Sequence, residues 1–282
     1  MLASRRVWSW FKQALVELDR EAAQARAALG QSAQGGDLAL GREASRVRHI
    51  LVVGAALLLL GFSYGDKPYF DNEILPAVMP HLAARGRWFF SKYRELSSYS
   101  YWAIAKLLGF GLLPLLHLRL LGEPVADYGL RWPRHAERLP FRHTYLVCFL
   151  ALFPVLVALS YSPSFTATYP FYREASRSGF DLVSWELQYA ATFVAIEFFF
   201  RGYLLFGLFR ALGSHAIFVS AVPYALIHIN KPASEALGSI FAGILLGTLA
   251  LRTRSLWAGA ALHIAIALSM DFLSLWRSVP RP

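Results

Sequence analysis

The chain has 282 residues, 56% of them hydrophobic and 16% charged, with a mean hydropathy of +0.41. Soluble domains usually carry about 25% charged residues, so this composition argues against an ordinary soluble globular domain. The formal net charge is +10, but the Lys and Arg residues fall between apolar runs, where a positive-inside membrane topology accounts for them and no nucleic-acid partner is expected.

In chain order, residues 1–29 predict an amphipathic helix. Val7, Phe11, Leu15, Leu18 and Ala22 recur at helical spacing, with Arg5, Arg6, Lys12 and Arg20 around them and Trp8 and Trp10 suited to a headgroup boundary. A short helix packing on the rest of the protein fits the same pattern. Residues 30–41 read as a flexible linker. Seven apolar runs follow, at roughly 49–65, 101–121, 143–160, 185–208, 214–230, 235–251 and 255–276. The predicted fold is therefore all-α: a polytopic membrane helix bundle with about seven transmembrane helices and an amphipathic N-terminal helix. The expected organisation is a cytoplasmic helix and linker at 1–48 and a transmembrane bundle at 49–282, with its chemistry at 185–276. The first strong apolar run begins near His49, too late for a cleavable signal, and reads as an uncleaved signal-anchor.

Residues 78–100 carry Arg85, Arg87, Lys92 and Arg94 beside Trp88, Phe89 and Phe90, and predict an interfacial helix. The loop at 122–142 (Arg131, Arg134, Arg138, Arg142) and the turn with Arg252 and Arg254 are basic, which places the N-terminus in the cytoplasm; Arg277 and Arg281 argue mildly the other way. The Ala-, Leu- and Arg-rich composition is compatible with a high-GC bacterial source and an inner-membrane location. Cys148 stands alone, so an intrachain disulfide and a Cys-based zinc site are excluded. Gly243 and Gly247 form a small-xxx-small face for close helix packing in lipid.

Four polar residues lie in or at the ends of these runs. A charged side chain at the bilayer centre costs about 2.5–3.5 kcal/mol even on the lenient insertion scale, so each needs a reason. Glu197 and Arg201 are i, i+4 on one helix face, about 6 Å apart along the axis, where the arginine orients the carboxylate. His228 ends the fifth run, and His263 lies about two turns into the seventh. Structural roles fit as well: a buried ion pair for the first two, a helix-end contact for His228. Three helices offering convergent polar groups fit a site in a bundle core. Glu197, His228 and His263 make a workable Zn2+ ligand set, and they equally suit a metal-free site in which Glu197 and His228 share the proton of a water. Spacing alone does not choose between them.

The motifs Glu197-F-F-F-Arg201-G, Tyr224-x-x-x-His228 and His263 in a later helix resemble the successive EExxxR, FxxxH and HxxxN motifs of the CPBP family, the CAAX-protease and bacteriocin-processing membrane proteins. The resemblance covers about 185–276. It implies peptide-bond hydrolysis at a membrane-associated or membrane-anchored protein substrate within the bilayer. Glu197 and His228 would activate water, Arg201 would hold the glutamate, and His263 would bind water or the oxyanion. The variant with one glutamate also resembles the myxosortase-like branch, which sorts C-terminally anchored proteins. Two departures stand out. Ile196 occupies the first Glu position, and Ala267 occupies the Asn position of the third motif. Asp271, about 12 Å farther along the same helix, is too distant to replace it and is expected at a cavity mouth or as a loop cap. Glu235 is the better reserve acid, with a favourable charge at a helix N-terminus as its structural role. The departures also fit an inactive family member serving as an immunity protein or membrane scaffold. A transporter is disfavoured, because no pair of broken half-helices recurs in two halves.

Overall fold

The computed structural model describes residues 2–31, 36–134, 141 and 143–278, and among them there is no strand. The N-terminal amphipathic helix is α1, Leu2–Gly30. After it come α2 (Gly36–Tyr64), α3 (Ala84–Lys92), α4 (Arg94–Leu120), α5 (Thr144–Leu159), α6 (Gly179–Leu212), α7 (His215–Leu226), α8 (Ala233–Thr253) and α9 (Trp257–Ser278). Every expected apolar run is helical, but only α2, α4, α6, α8 and α9 are long and apolar enough to cross a membrane. With 12 residues, α7 rises about 18 Å, short of the roughly 30 Å hydrocarbon core. Hydropathy also hides rank. The apolar window of α6 is 94% buried and that of α2 only 17%.

The second half of the expected linker is helical, because α2 begins at Gly36 and continues without a break through residue 48; residues 32–35 lie outside the described residues. Its polar first turns are held by side-chain bonds that composition does not reveal: Arg46 pairs with Glu43 and donates to Tyr128 Oη at 3.0 Å. The interfacial helix is shorter than expected. Tyr93 (φ −113°, ψ 36°) separates the nine residues of α3 from Arg94, which opens the long helix α4. Arg138, Arg142 and Arg281 lie outside the described residues.

The chain forms two compact units. The first comprises Met1–Gly54, Leu115–Arg142 and Glu197–Gly259. Here α1 buries Ala14, Leu18 and Ala22, one face at four-residue spacing, while Trp8 stays exposed. The predicted apolar face is present, and it is covered by protein. Polar groups fix it in place. Asp19 Oδ1 accepts the backbone N–H of Ser214 at 2.7 Å at the start of α7, and Arg26 donates to the carbonyls of Arg210 (3.1 Å) and Ala211 (3.0 Å) at the end of α6. Helix ends leave such groups without intrahelical partners, so α1 caps both sides of the α6–α7 corner. Glu17 and Glu21 pair with Arg252 and Arg254. At the corner Gly213 has φ +59°, and a Cβ there would stand 2.5 Å from Asp19 Oδ1. In α8, a Cβ on Gly243 would stand 3.2 Å from Ala221 and Tyr224, so the small-residue face sets the close approach to α7.

The second unit comprises Ala55–Pro114, His143–Ile196 and Ala260–Pro282. Its centre is aromatic. Trp185 is fully buried, stacks on Tyr189 (4.8 Å between centroids) and meets Tyr99 at 5.0 Å. Leu156, Phe165, Tyr169, Met270 and Leu273 form a neighbouring apolar cluster. Arg177 ties the approach to α6, donating to Asp181 at 2.7 Å and to the carbonyl of Lys92 at 3.0 Å.

Candidate functional site

Within the first unit, α6 leaves α-helical geometry just after Glu197. Residues Phe198–Phe206 form a π-helical stretch with all nine side chains buried. Such stretches concentrate at functional sites, because the extra residue re-aims the side chains that follow. A helix buried on every side belongs to a core. The glycine that closes the FFFRG motif has a steric reason: a Cβ on Gly202 would stand 2.8 Å from the carbonyl oxygen of Tyr128.

Glu197 and Arg201 are 1% and 2% exposed. Arg201 Nη1 lies 3.1 Å from Glu197 Oε1. The same guanidinium stacks over the Tyr224 ring, 3.8 Å from its centroid. Tyr224 in turn meets Phe200 at 5.3 Å and the His228 ring at 4.8 Å. Carboxylate, guanidinium, phenol and imidazole therefore form one continuous series in the first unit. Gly259, in the first turn of α9, flanks the other carboxylate oxygen; a Cβ there would stand 3.6 Å from Glu197 Oε2, an ordinary contact. The first turn of a helix carries partial positive charge, which favours an anion beside it.

The chemistry of His228 follows from one bond. Its Nδ1 lies 2.8 Å from the carbonyl oxygen of Tyr224. A carbonyl only accepts, so Nδ1 carries the proton, and in the neutral ring Nε2 is the accepting nitrogen. The imidazole is half-buried in the turn after α7.

Glu235 occupies the first turn of α8, with Lys231 Nζ 3.6 Å from its Oε1, which fits its charge-at-a-helix-start role. His263 lies in the second unit, its ring 4.4 Å from that of Phe193. Asp271 corrects the sequence reading. Its carboxyl does not stand at an exposed mouth. It is fully buried in the second unit and accepts a 2.6 Å hydrogen bond from Trp185 Nε1. The donor comes from a helix remote in sequence, so periodicity along α9 could not reveal it. Among the described residues no three His, Cys, Asp or Glu side chains are grouped so as to hold a metal ion. Sequence reasoning gave no role to Gly259 or to the ring of Tyr224. The i, i+4 spacing of Tyr224 and His228 was the available signal for the second.

Residues 179–269 match the family described as type II CAAX prenyl endopeptidase Rce1-like. The matched segment is similar to that protease family. This Rce1-like segment, about a third of the chain, contains Glu197, Arg201, Tyr224, His228, Glu235 and His263 and leaves Asp271 outside. No curated protein and no solved structure matches the chain. With its apolar helices, the Rce1-like segment marks the chain as an integral membrane protein.

Proposed function

We propose that the protein is an intramembrane peptidase that hydrolyses a peptide bond in a membrane-anchored protein, with water activated at Glu197 and His228. The observation that carries this reading is the series Glu197–Arg201–Tyr224–His228 inside one compact unit, its first three members buried and the imidazole half-buried. His228 Nε2 accepts a proton from water as its oxygen attacks the carbonyl carbon, and Glu197 orients that water through its second lone-pair oxygen. The proton then passes to the departing amine as the C–N bond breaks. Arg201 fixes the carboxylate, and Tyr224 holds both the arginine and, through its carbonyl, the histidine tautomer. His263 retains the water- or oxyanion-binding role that the resemblance implies. The N-terminus is assigned to the cytoplasm and the chain to a bacterial inner membrane, on the distribution of basic residues and the composition. A sorting protease for C-terminal membrane anchors is the substrate class that best suits this setting.

One observation favours a second reading. The two positions that depart from the family pattern are apolar and closed, Ile196 7% and Ala267 4% exposed, which suits an inactive relative acting as a scaffold or immunity protein. Co-expression with an anchored substrate decides between them. His228→Gln should abolish cleavage at unchanged protein level and His263→Ala should reduce it. Full cleavage by His228→Gln would remove the proposed mechanism, and no cleavage by the wild-type chain of any anchored protein in its own membrane would favour the scaffold. Retained activity in a zinc chelator is expected, and loss restored by added Zn2+ would overturn the metal-free chemistry.

A further inference from the structure

The second unit contains a cavity of about 390 Å³ that the proposed chemistry does not use. This lies within the range of about 300–1,000 Å³ typical of small-molecule sites. Phe70, Phe89, Phe90, Ile104 and Phe180 supply its apolar wall, and no ionisable acid, base or histidine lines it. Three of its polar side chains already have partners: Ser100 Oγ donates to the carbonyl of Leu96 at 2.9 Å, Gln188 Nε2 to that of Ser184 at 2.7 Å, and Tyr101 Oη to that of Tyr64. The part of an occupant inside the cavity is therefore uncharged and apolar. The cavity lies along the first turns of α4 and α6, which supply Leu96–Ile104 and Phe180–Gln188. It thus lies beside the first turns of two helices that are long and apolar enough to cross a membrane.

One side of the rim, the helix α3, is basic. On α3, Arg85, Phe89 and Lys92 share one face by their i, i+4, i+7 spacing, so a wall residue of the cavity is bracketed by two cations. Arg87 lies on the same short helix, which contains no acid. All three basic residues are exposed, and among the described residues no carboxylate pairs with them. Lys92 Nζ stands 4.9 Å from the Trp88 ring and 5.3 Å from that of Tyr93, and Tyr93 packs on the wall residue Phe180 at 5.3 Å. Trp88 is itself exposed, as headgroup-level aromatics are. We propose that the cavity takes one acyl chain of an anionic phospholipid, whose phosphate is held by Arg85 and Lys92.

The test uses the full chain in mild detergent, offered equal amounts of phosphatidylglycerol and phosphatidylcholine and read by native mass spectrometry. Phosphatidylglycerol should be retained in preference, on the order of tenfold for two basic contacts. Arg85→Gln with Lys92→Gln should bring the ratio near unity, and Ile104→Trp, which fills the cavity from an exposed position, should lower retention of both lipids. Independently of any variant, phosphatidylglycerol with a photoactivatable acyl chain, in vesicles of phosphatidylcholine, should label peptides containing Phe89 or Ile104. Equal retention of the two lipids by the wild-type chain, an unchanged ratio in the double variant, or labelling elsewhere would overturn the proposal. So would displacement of the lipid by excess glycerol phosphate, which would mark a free-phosphate site, or a hydrophobic peptide found in its place.

Discussion

Replacing Glu197 by alanine leaves the Arg201 guanidinium 2% exposed with its counter-charge gone. Removing one partner of a buried ion pair costs about 3–5 kcal/mol, because the other charge stays desolvated. Arg201→Met has the mirror effect on Glu197 and also removes the stack on Tyr224, worth up to about 2 kcal/mol when desolvated. Exchanging both residues together, Glu197→Leu with Arg201→Met, removes both charges and fills the space with apolar groups, which is often close to neutral. At roughly 2–4 °C per kcal/mol, each single variant should melt about 6–20 °C lower, while the double variant should recover most of that loss. The assay is thermal unfolding of the four proteins in one detergent, followed by cleavage of an anchored substrate. The double variant should be folded and inactive, which separates the pair's structural role from its role toward water. Two results would refute the reasoning: single variants that melt within a degree of the wild type, or a double variant whose loss equals the sum of the singles.

Other expectations follow from the same contacts. Asp19→Ala removes the acceptor at the start of α7 and should cost about 1–2 kcal/mol, typical of a lost helix cap; a thermal melt measures it, and Asp19→Asn should recover part of the loss. The hydrogen bond from Arg252, with that from Gln13, holds the Glu17 carboxyl below its ordinary 4.5. Because the folded value is depressed, this contribution is fully present above pH 4.5 and is lost as the pH falls through the folded value. Protection of the α1 amides, taken relative to their intrinsic exchange rates, should therefore fall below pH 4.5, and Glu17→Gln should flatten that fall. Gly202→Ala places a methyl 2.8 Å from a backbone oxygen that cannot swing aside; such crowding costs typically about 1–3 kcal/mol, and a melting temperature equal to the wild type would show that the π-helical stretch relaxes freely.

Much of the fold is legible along the chain. The apolar runs mark every long helix because lipid leaves a backbone few alternatives to internal hydrogen bonding. The amphipathic face of residues 1–29 is legible for the same reason of periodicity. Its partner was not: Asp19 and Arg26 look like ordinary surface charges until Ser214, Arg210 and Ala211 are seen beside them. The helical state of 36–41 was not legible, because Gly-rich composition says nothing of the Arg46–Glu43–Tyr128 contacts farther along α2.

The chemistry divides along the same line. The sequence by itself determined that Glu197 and Arg201 share a face of an apolar helix and that His228 stands at the end of another apolar run, since local spacing sets which residues share a turn. Only the tertiary structure decided that Tyr224 links the guanidinium to the imidazole, that His228 protonates on Nδ1, and that Asp271 is held by Trp185. Which of two ring nitrogens carries the proton depends on the atom facing it, and which helix faces which is fixed by shape and packing between segments far apart in the chain, information that no local pattern carries.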